Sequence, residues 1–291
     1  MIWVIGNKGM LGTELSKRLE RAALPFVGTG REVDITDFSA LVDFVQKQSQ
    51  PVTWIINCAA YTAVDKAEED RENCRLVNAD GSGNIARVAG KTGAMLTHIS
   101  TDYVFNGQGN KPYTEEDITD PVSVYGLTKR NGETGILEEH EKSYILRTAW
   151  LYGKHGKNFV HTMLRLMNEQ ESVSVVSDQR GSPTWARDLA ETIITFVRRA
   201  AEGKTIPYGI YHYTNEGETT WFDFAGEIYR QGRELGYIAK DCAVRPCNSS
   251  EFPSKVKRPA YSVLDKTKIQ TALGIRIPPW NESLRNFLRA Q

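Results

Sequence analysis

No apolar run in this 291-residue chain approaches the ~20 residues needed to cross a bilayer, and the apolar start Met1 to Ile5 is too short for a signal-peptide core. A cytoplasmic protein is therefore expected. An excess of charge of either sign is also missing. With 36 basic and 36 acidic side chains, the chain lacks the electrostatic footprint of a nucleic-acid or membrane-surface binder. Four cysteines, Cys58, Cys74, Cys242 and Cys247, have neither CxxC spacing nor a paired histidine pattern. That argues against zinc and disulfides and for reduced thiols; no metal is assigned. Gly/Ser linkers, low-complexity stretches and internal repeats are absent too. The length favours one main domain with a smaller lobe and a cleft between them.

What is present is alternation. From residue 2, short β-branched runs alternate with segments whose apolar residues recur every three or four positions, the pattern of βαβ units and hence of a doubly wound, Rossmann-like parallel sheet. The expected strands are residues 2–5, 25–29, 53–57, 94–99 and 144–148. After about residue 150 the rhythm loosens into a helix at 158–168, a strand at 173–176, a turn at Gly181-Ser182-Pro183, an aromatic strand at 209–213 and a helix opening near Thr220. Residues 1–148 read as a dinucleotide-binding domain, with a helix returned to it from about 185–202. Residues 149–291 read mainly as a smaller α/β substrate-binding lobe.

The first strand runs directly into Gly6-Asn7-Lys8-Gly9-Met10-Leu11-Gly12, after which Leu11, Leu15 and Leu19 mark one helix face. Glycines in this strand-turn-helix setting suit a pyrophosphate: Gly6 for the tight turn, Gly9 for close backbone approach, Gly12 for helix-sheet packing, and the helix N-terminus for the anion. The spacing is GxxGxxG, a variant of the usual GxGxxG. At the end of the second strand, where a ribose-binding acid would indicate NAD, stands Thr29-Gly30-Arg31. Arg31 can pair with a 2′-phosphate and favour NADPH, Glu32 can reverse that preference, and a solvated loop charge is the plain alternative. Asp34-Ile35 lie where an adenine would be flanked.

Tyr125 and Lys129 are four residues apart on a helix expected after Pro121, hence on one face. A tyrosine with an ordinary pKa of about 10 needs an adjacent positive charge to exchange protons near neutrality, and Lys129 is spaced to supply it. Thr101 follows the fourth strand, at the carboxyl edge where open α/β sheets bind ligands; its hydroxyl can bond a carbonyl oxygen or simply cap a turn. His98 reads as a sheet residue. Tyr208, Tyr211, Tyr213, Trp221, Phe222 and Phe224 read as core before they read as a base pocket.

Glycine turn, strand-four hydroxyl and Tyr/Lys helix occur in the chain order of the extended short-chain dehydrogenase/reductases, which the sequence resembles. Within them it resembles the dTDP-4-dehydrorhamnose reductase family over nearly its full length. Further strings that carry the resemblance are Asn57-Cys-Ala-Ala-Tyr-Thr62, Ser100-Thr-Asp-Tyr-Val-Phe105, Arg147-Thr-Ala-Trp150, Asp178-Gln-Arg-Gly-Ser-Pro-Thr184 and Arg258-Pro259 with Ser262. The resemblance implies NADPH or NADH as cofactor, with NADPH favoured, and a dTDP-linked 4-keto-6-deoxy sugar as substrate. It places Gly9, Met10 and Leu11 at the pyrophosphate, Asp34 and Ile35 at the adenosine, and Ala60, Tyr61, Thr62, Ile99, Tyr125 and Lys129 on the nicotinamide side. It makes Tyr125 the proton donor and Thr101 its partner at the carbonyl, with Asp102 and Trp150 against the sugar.

The sequence departs from the family pattern at Cys58, at Thr29-Gly-Arg-Glu32, and at Arg187-Asp188. This last is the partner region of Glu14, an acid that in some members joins a metal-bridged dimer; a homodimer stays open. A 4,6-dehydratase would need a second acid after Thr101-Asp102, where Tyr103 stands. A C4 epimerase, and a non-catalytic subunit similar to the regulatory subunit of methionine adenosyltransferase, remain alternatives.

Overall fold

The computed structural model describes residues 1–251, 254 and 256–291. Its first half is a run of βαβ units: β1 (Ile2–Ile5), α1 (Met10–Arg21), β2 (Phe26–Thr29), α2 (Phe38–Gln46), β3 (Trp54–Asn57), the short helices α3 (Val64–Ala67) and α4 (Arg71–Arg75), α5 (Gly81–Thr92), β4 (Met95–Thr101), α6 (Val124–Glu139) and β5 (Ser143–Thr148). Strands β1, β3, β4 and β5 are fully or mostly buried on both faces, as a sheet covered by helices requires, and the edge strand β2 is part-buried. Leu11, Leu15 and Leu19 press α1 onto the sheet, all 5% exposed or less.

The second half contributes β6 (Leu151–Tyr152), α7 (Phe159–Glu169), β7 (Ser172–Val176), β8 (Arg180–Gly181), β9 (Thr184–Trp185), α8 (Ala186–Ala201), β10 (Gly209–His212), β11 (Thr219–Thr220), α9 (Trp221–Glu234), β12 (Ala243–Cys247), α10 (Thr267–Leu273) and α11 (Trp280–Arg289). Two expectations need correction. The aromatic strand near 209 does not belong to the smaller lobe: β10 pairs in parallel with β5, from Gly209 opposite Tyr144 to His212 opposite Arg147, and completes the main sheet. The residues around Gly181-Ser182-Pro183 are more than a turn, since β8 pairs with β11 and β9 with β6 on either side of it.

The main sheet is parallel throughout, in the order β10-β5-β4-β3-β1-β2. The chain leaves β1 in one direction to β2 and returns across it to β3, so the topological switch lies between β1 and β3, where doubly wound folds open a ligand crevice at the strand carboxyl ends. α8 packs on α1 beneath this sheet, and its buried Leu189, Ile193 and Phe196 share one core with Val4, Ile56 and Leu146. A second core, formed by Tyr152, Val160, Trp185, Phe224, Leu284 and Phe287, lies under α7, α9 and α11. No helix among the described residues is long and apolar enough to cross a membrane.

Candidate active site

The glycine turn is built for close approach. Gly6 takes a left-handed φ of +78°, and a Cβ there would lie 2.8 Å from the Ala59 nitrogen, so only glycine lets the β1 and β3 loops close together. A Cβ on Gly12 would fall on the Gly6 carbonyl oxygen. Gly9 is the N-cap of α1; no side chain caps that end and no acid stands in the first turn. The first-turn N–H groups, including those of Met10 and Leu11, are thus left for an external acceptor. Buried Asn7 Oδ1, with no hydrogen-bond partner, adds a second unsatisfied polar atom in the same turn. These features fit the diphosphate of a dinucleotide.

The second strand ends at Thr29, and exposed Arg31 stands in the turn just beyond it. Glu32 folds back over it, accepting from the Gly30 N–H at 2.6 Å and pairing with Lys8 at 3.4 Å, and the Gly30 bond holds its carboxyl below the usual range. Asp34 accepts from the Thr36 N–H and hydroxyl at 2.9 and 2.8 Å. Ile35 is 7% exposed, packed against Gly81 with the apolar core, so its side chain serves that core more than an adenine face.

Across the switch point, the loop after β3 carries Ala60, Tyr61 and Thr62. Asn78 straps it down: its Oδ1 accepts the Tyr61 N–H at 2.8 Å and its Nδ2 donates to the Tyr61 carbonyl at 3.1 Å. Asn78 stands in a π-helical turn, Leu76–Asp80, a distortion frequent at functional sites. A Cβ on Gly132 would strike the Asn78 carbonyl, so α6 lies directly on this turn.

β4 delivers the central groups. Thr101 caps the 3-10 turn Asp102–Val104 by accepting the Tyr103 N–H at 3.2 Å, and donates to Asp102 Oδ1 at 3.0 Å. The Tyr125 phenol lies near the same threonine, whose hydroxyl acts to lower its pKa. Of the two roles the sequence leaves open for Thr101, bonding a carbonyl oxygen or capping a turn, the structure shows the cap. α6 starts at Val124, with Ser123 Oγ accepting the Gly126 N–H at 3.1 Å. A Cβ on Gly126 would land on the Tyr103 carbonyl, so α6 enters hard against the β4 turn, and Tyr103 meets Tyr125 edge-on at 5.5 Å.

Burial pushes the Tyr125 phenol above its ordinary pKa, opposed by the Thr101 hydroxyl and reinforced by Asp102, Tyr103 and Cys74. The expected downward pull of Lys129 is not among these influences. The Lys129 amine instead bonds the Ile99 carbonyl at 2.6 Å and His98 Nε2 at 3.0 Å. Burial lowers Lys129 to about 8 against the counter-pull of Glu133 and Cys74, and raises Asp102 to about 6.

Trp150 follows the end of β5 by two residues, on the side of the second lobe. It is a non-glycine residue with φ +49°, a costly backbone, held by face-to-face stacking on Trp221 at 3.6 Å and by Gly181 beneath it. Trp221 in turn meets Phe159 at 4.5 Å. The remaining aromatics part company: Tyr211 and Tyr213 lie in the main core, Phe224 in the second, and Tyr208 is exposed.

Sequence reasoning passed over three participants. His98 bonds the site lysine, and Asn78 shapes the loop after β3. The third is the buried pair Arg147–Glu133, bonded at 2.7 and 2.9 Å and joined by Ser100, which locks α6 to β4 and β5. Glu133 and Arg147 both lie inside elements the sequence reveals, but no spacing rule marks their contact. The four cysteines are free thiols, and burial raises Cys58 to about 12, an unreactive thiol behind the glycine turn. The described residues contain no cluster of potential metal ligands.

A parallel sheet with an uncapped glycine turn at its switch point and a Thr/Tyr/Lys group at the end of β4 defines an oxidoreductase of the short-chain dehydrogenase/reductase class. Within that class, residues 1–291 match the family described as the RmlD substrate binding domain, and the chain belongs to it. A dTDP-4-dehydrorhamnose reductase of Streptomyces griseus is 44% identical over 273 residues, 93% of this chain and 87% of its own. One from Aggregatibacter actinomycetemcomitans is 39% identical over 98% of this chain and 97% of its own. The crystal structure of a dTDP-4-dehydrorhamnose reductase from Bacillus anthracis in complex with NADP superposes with a TM-score of 0.92 at 36% identity, covering 100% of this chain and 99% of that one.

Proposed function

We propose that this protein is an NAD(P)H-dependent reductase of the 4-keto group of dTDP-4-dehydro-L-rhamnose, giving dTDP-L-rhamnose. The observation that carries the reading is the meeting of the Tyr125 phenol with Thr101, itself hydrogen-bonded to Asp102, at the carboxyl end of β4, across the crevice from the open α1 N-terminus. Residues 1–148, together with α8 and β10, form the cofactor-binding unit; most of the remainder, with Trp150 and Trp221 at its mouth, receives the sugar nucleotide.

Gly6, Gly9, Gly12 and the N–H groups of Met10 and Leu11 hold the cofactor diphosphate, with Ala60, Tyr61, Thr62 and Ile99 beside the nicotinamide. NADPH is the favoured donor, with exposed Arg31 meeting its 2′-phosphate while Glu32 stays engaged by Lys8 and Gly30. The cofactor supplies hydride to the carbonyl carbon. The protein's share is positioning and proton supply. Because burial keeps the Tyr125 phenol protonated through neutral pH, it is a proton donor: its O–H gives the proton to the carbonyl oxygen, which Thr101 orients. Asp102 and Trp150 hold the sugar ring. The chain works in the cytoplasm on a dTDP-linked 4-keto-6-deoxy sugar, as a monomer or a homodimer.

The test follows cofactor absorbance with dTDP-4-dehydro-L-rhamnose for the wild type and Tyr125→Phe. The variant binds cofactor normally and loses at least ~10²-fold in turnover, the usual scale of general acid catalysis. Near-normal turnover by the variant removes Tyr125 from the mechanism. An absence of net cofactor oxidation by the wild type would sink the reductase reading in favour of an epimerase or a binding subunit.

A further inference from the structure

Residues 259–265 run as a strap between the two units. Toward β8, the Ala260 carbonyl accepts the Arg180 N–H and the Ser262 N–H donates to the Arg180 carbonyl, both at 2.8 Å. Toward the loop after β4, the Tyr261 N–H donates to the Gly107 carbonyl at 3.0 Å. The Val263 carbonyl accepts the Tyr113 N–H at 2.9 Å, and the Asp265 N–H returns to the Tyr113 carbonyl at 2.7 Å. Alternate backbone groups thus serve opposite neighbours, and the strap belongs to both units. It lies so close to the first that a Cβ on Gly107 would stand 2.4 Å from the Pro259 Cα, and Leu264 is buried with Val104 and Phe105.

Ser262, at the middle of this strap, is 2% exposed, as is Asp102. Asp102 Oδ1 accepts the Thr101 hydroxyl at 3.0 Å, while Oδ2, equally buried, has no hydrogen-bond partner among the described residues. The Ser262 hydroxyl is barely engaged, by the Arg180 carbonyl at 3.5 Å, a separation at which little of a hydrogen bond is left. A hydroxyl hydrogen turns to suit its acceptor, and each carboxylate oxygen accepts two bonds. We propose that Ser262 is a positioning residue that reaches from the strap to the Asp102 carboxylate and holds it for a sugar hydroxyl, so that the sugar site is complete only where the two units are stitched together. The proposal rests on the reading of Asp102 as a group that meets the sugar. Burial raises the Asp102 carboxyl to about 6, and among the groups that hold it down Ser262 comes first, ahead of Thr101. The titratable groups facing it, Tyr103 in its own turn and Tyr125 on α6, are both raised by burial and stay neutral while Asp102 changes charge; Arg258 and Asp65 act on Tyr103.

The experiment titrates the full-length protein, without cofactor or sugar, with carbon-labelled aspartate carboxyls followed by NMR; the resonance missing from Asp102→Asn belongs to Asp102. The wild-type midpoint is expected at about 6. Ser262→Ala removes a donor to the charged form, so it raises the midpoint by at least about half a unit. Ser262→Cys, which nearly keeps the volume but offers only a weak donor, moves it in the same direction. With dTDP-4-dehydro-L-rhamnose both variants raise KM about fivefold, the order of one neutral hydrogen bond, and leave the NADPH Kd unchanged. A folded variant of either kind with the wild-type midpoint overturns the proposal, as does a rise in KM matched by an equal rise in the NADPH Kd. The carboxyl titration needs no turnover, so failure of the Ser262 contact is separable from failure of the reductase reading.

Discussion

Asp102 is 2% exposed one residue beyond the β4 threonine, and its carboxyl is raised by burial from 3.8 to about 6. A folded-state pKa above the unfolded one means that the native chain holds this proton more tightly. The associated stability is present in full below the unfolded value and is lost as pH rises through about 6, roughly 3 kcal/mol for a shift of this size. Asp102→Asn should therefore lose less stability than the wild type between pH 4 and pH 7.5 in urea titrations. Parallel curves would show that Asp102 does not carry the slope. At this scale the sequence was readable for the elements that carry Thr101, Tyr125 and Lys129, the end of β4 and one face of α6. It was not readable where the partner is remote in the chain: His98 meets a lysine 31 positions on, and alternation along β4 marks it only as a sheet residue.

Helix α6 is fixed at its entry by two features that separate cleanly in experiment. Ser123→Ala removes a cap from one N–H and should cost about 1 kcal/mol of stability, with turnover reduced by no more than a few-fold. Gly126→Ala drives a methyl onto the Tyr103 carbonyl. It should displace the turn that presents Tyr125 and Lys129, lowering kcat by more than tenfold beyond any fall in denaturation midpoint. Equal behaviour of the two variants in the activity assay would contradict the close-approach argument. Element positions were legible because buried parallel strands read as apolar runs: β1 to β5 fall within two residues of their expected ends. The paired strands β8 and β9 were not, because two residues carry no periodicity, and the place of β10 was not, because its partner β5 lies some 65 positions away.

For the molecule as a whole, the Arg147–Glu133 pair joins sheet and α6 inside the main unit, with both side chains at most 4% exposed. Removing one partner strands a buried charge, so Arg147→Met should destabilise by about 3–5 kcal/mol in urea titration, with the double variant Arg147→Met/Glu133→Leu recovering part of it. An additive double variant would show the pair to be uncoupled. Ligand linkage gives a further whole-molecule measurement. NADPH at one hundred times its Kd should add about 2.7 kcal/mol to native stability, and at equal concentration should raise the melting midpoint more than NADH; the reverse order would assign the β2 terminus to NADH through Glu32.

The return of α8 and β10 to the first unit has a consequence for biosynthesis. A nascent chain that has emerged only as far as Thr148 exposes the unpaired edge of β5 and the bare apolar face of α1; the second waits for α8, complete at Ala201, and the first for β10, complete at His212. The intervening 150–185 region must then be accommodated outside a half-built sheet. The lobes are thus completed in an overlapping order rather than one after the other, and a fragment truncated at the apparent boundary is expected to aggregate through its open strand edge.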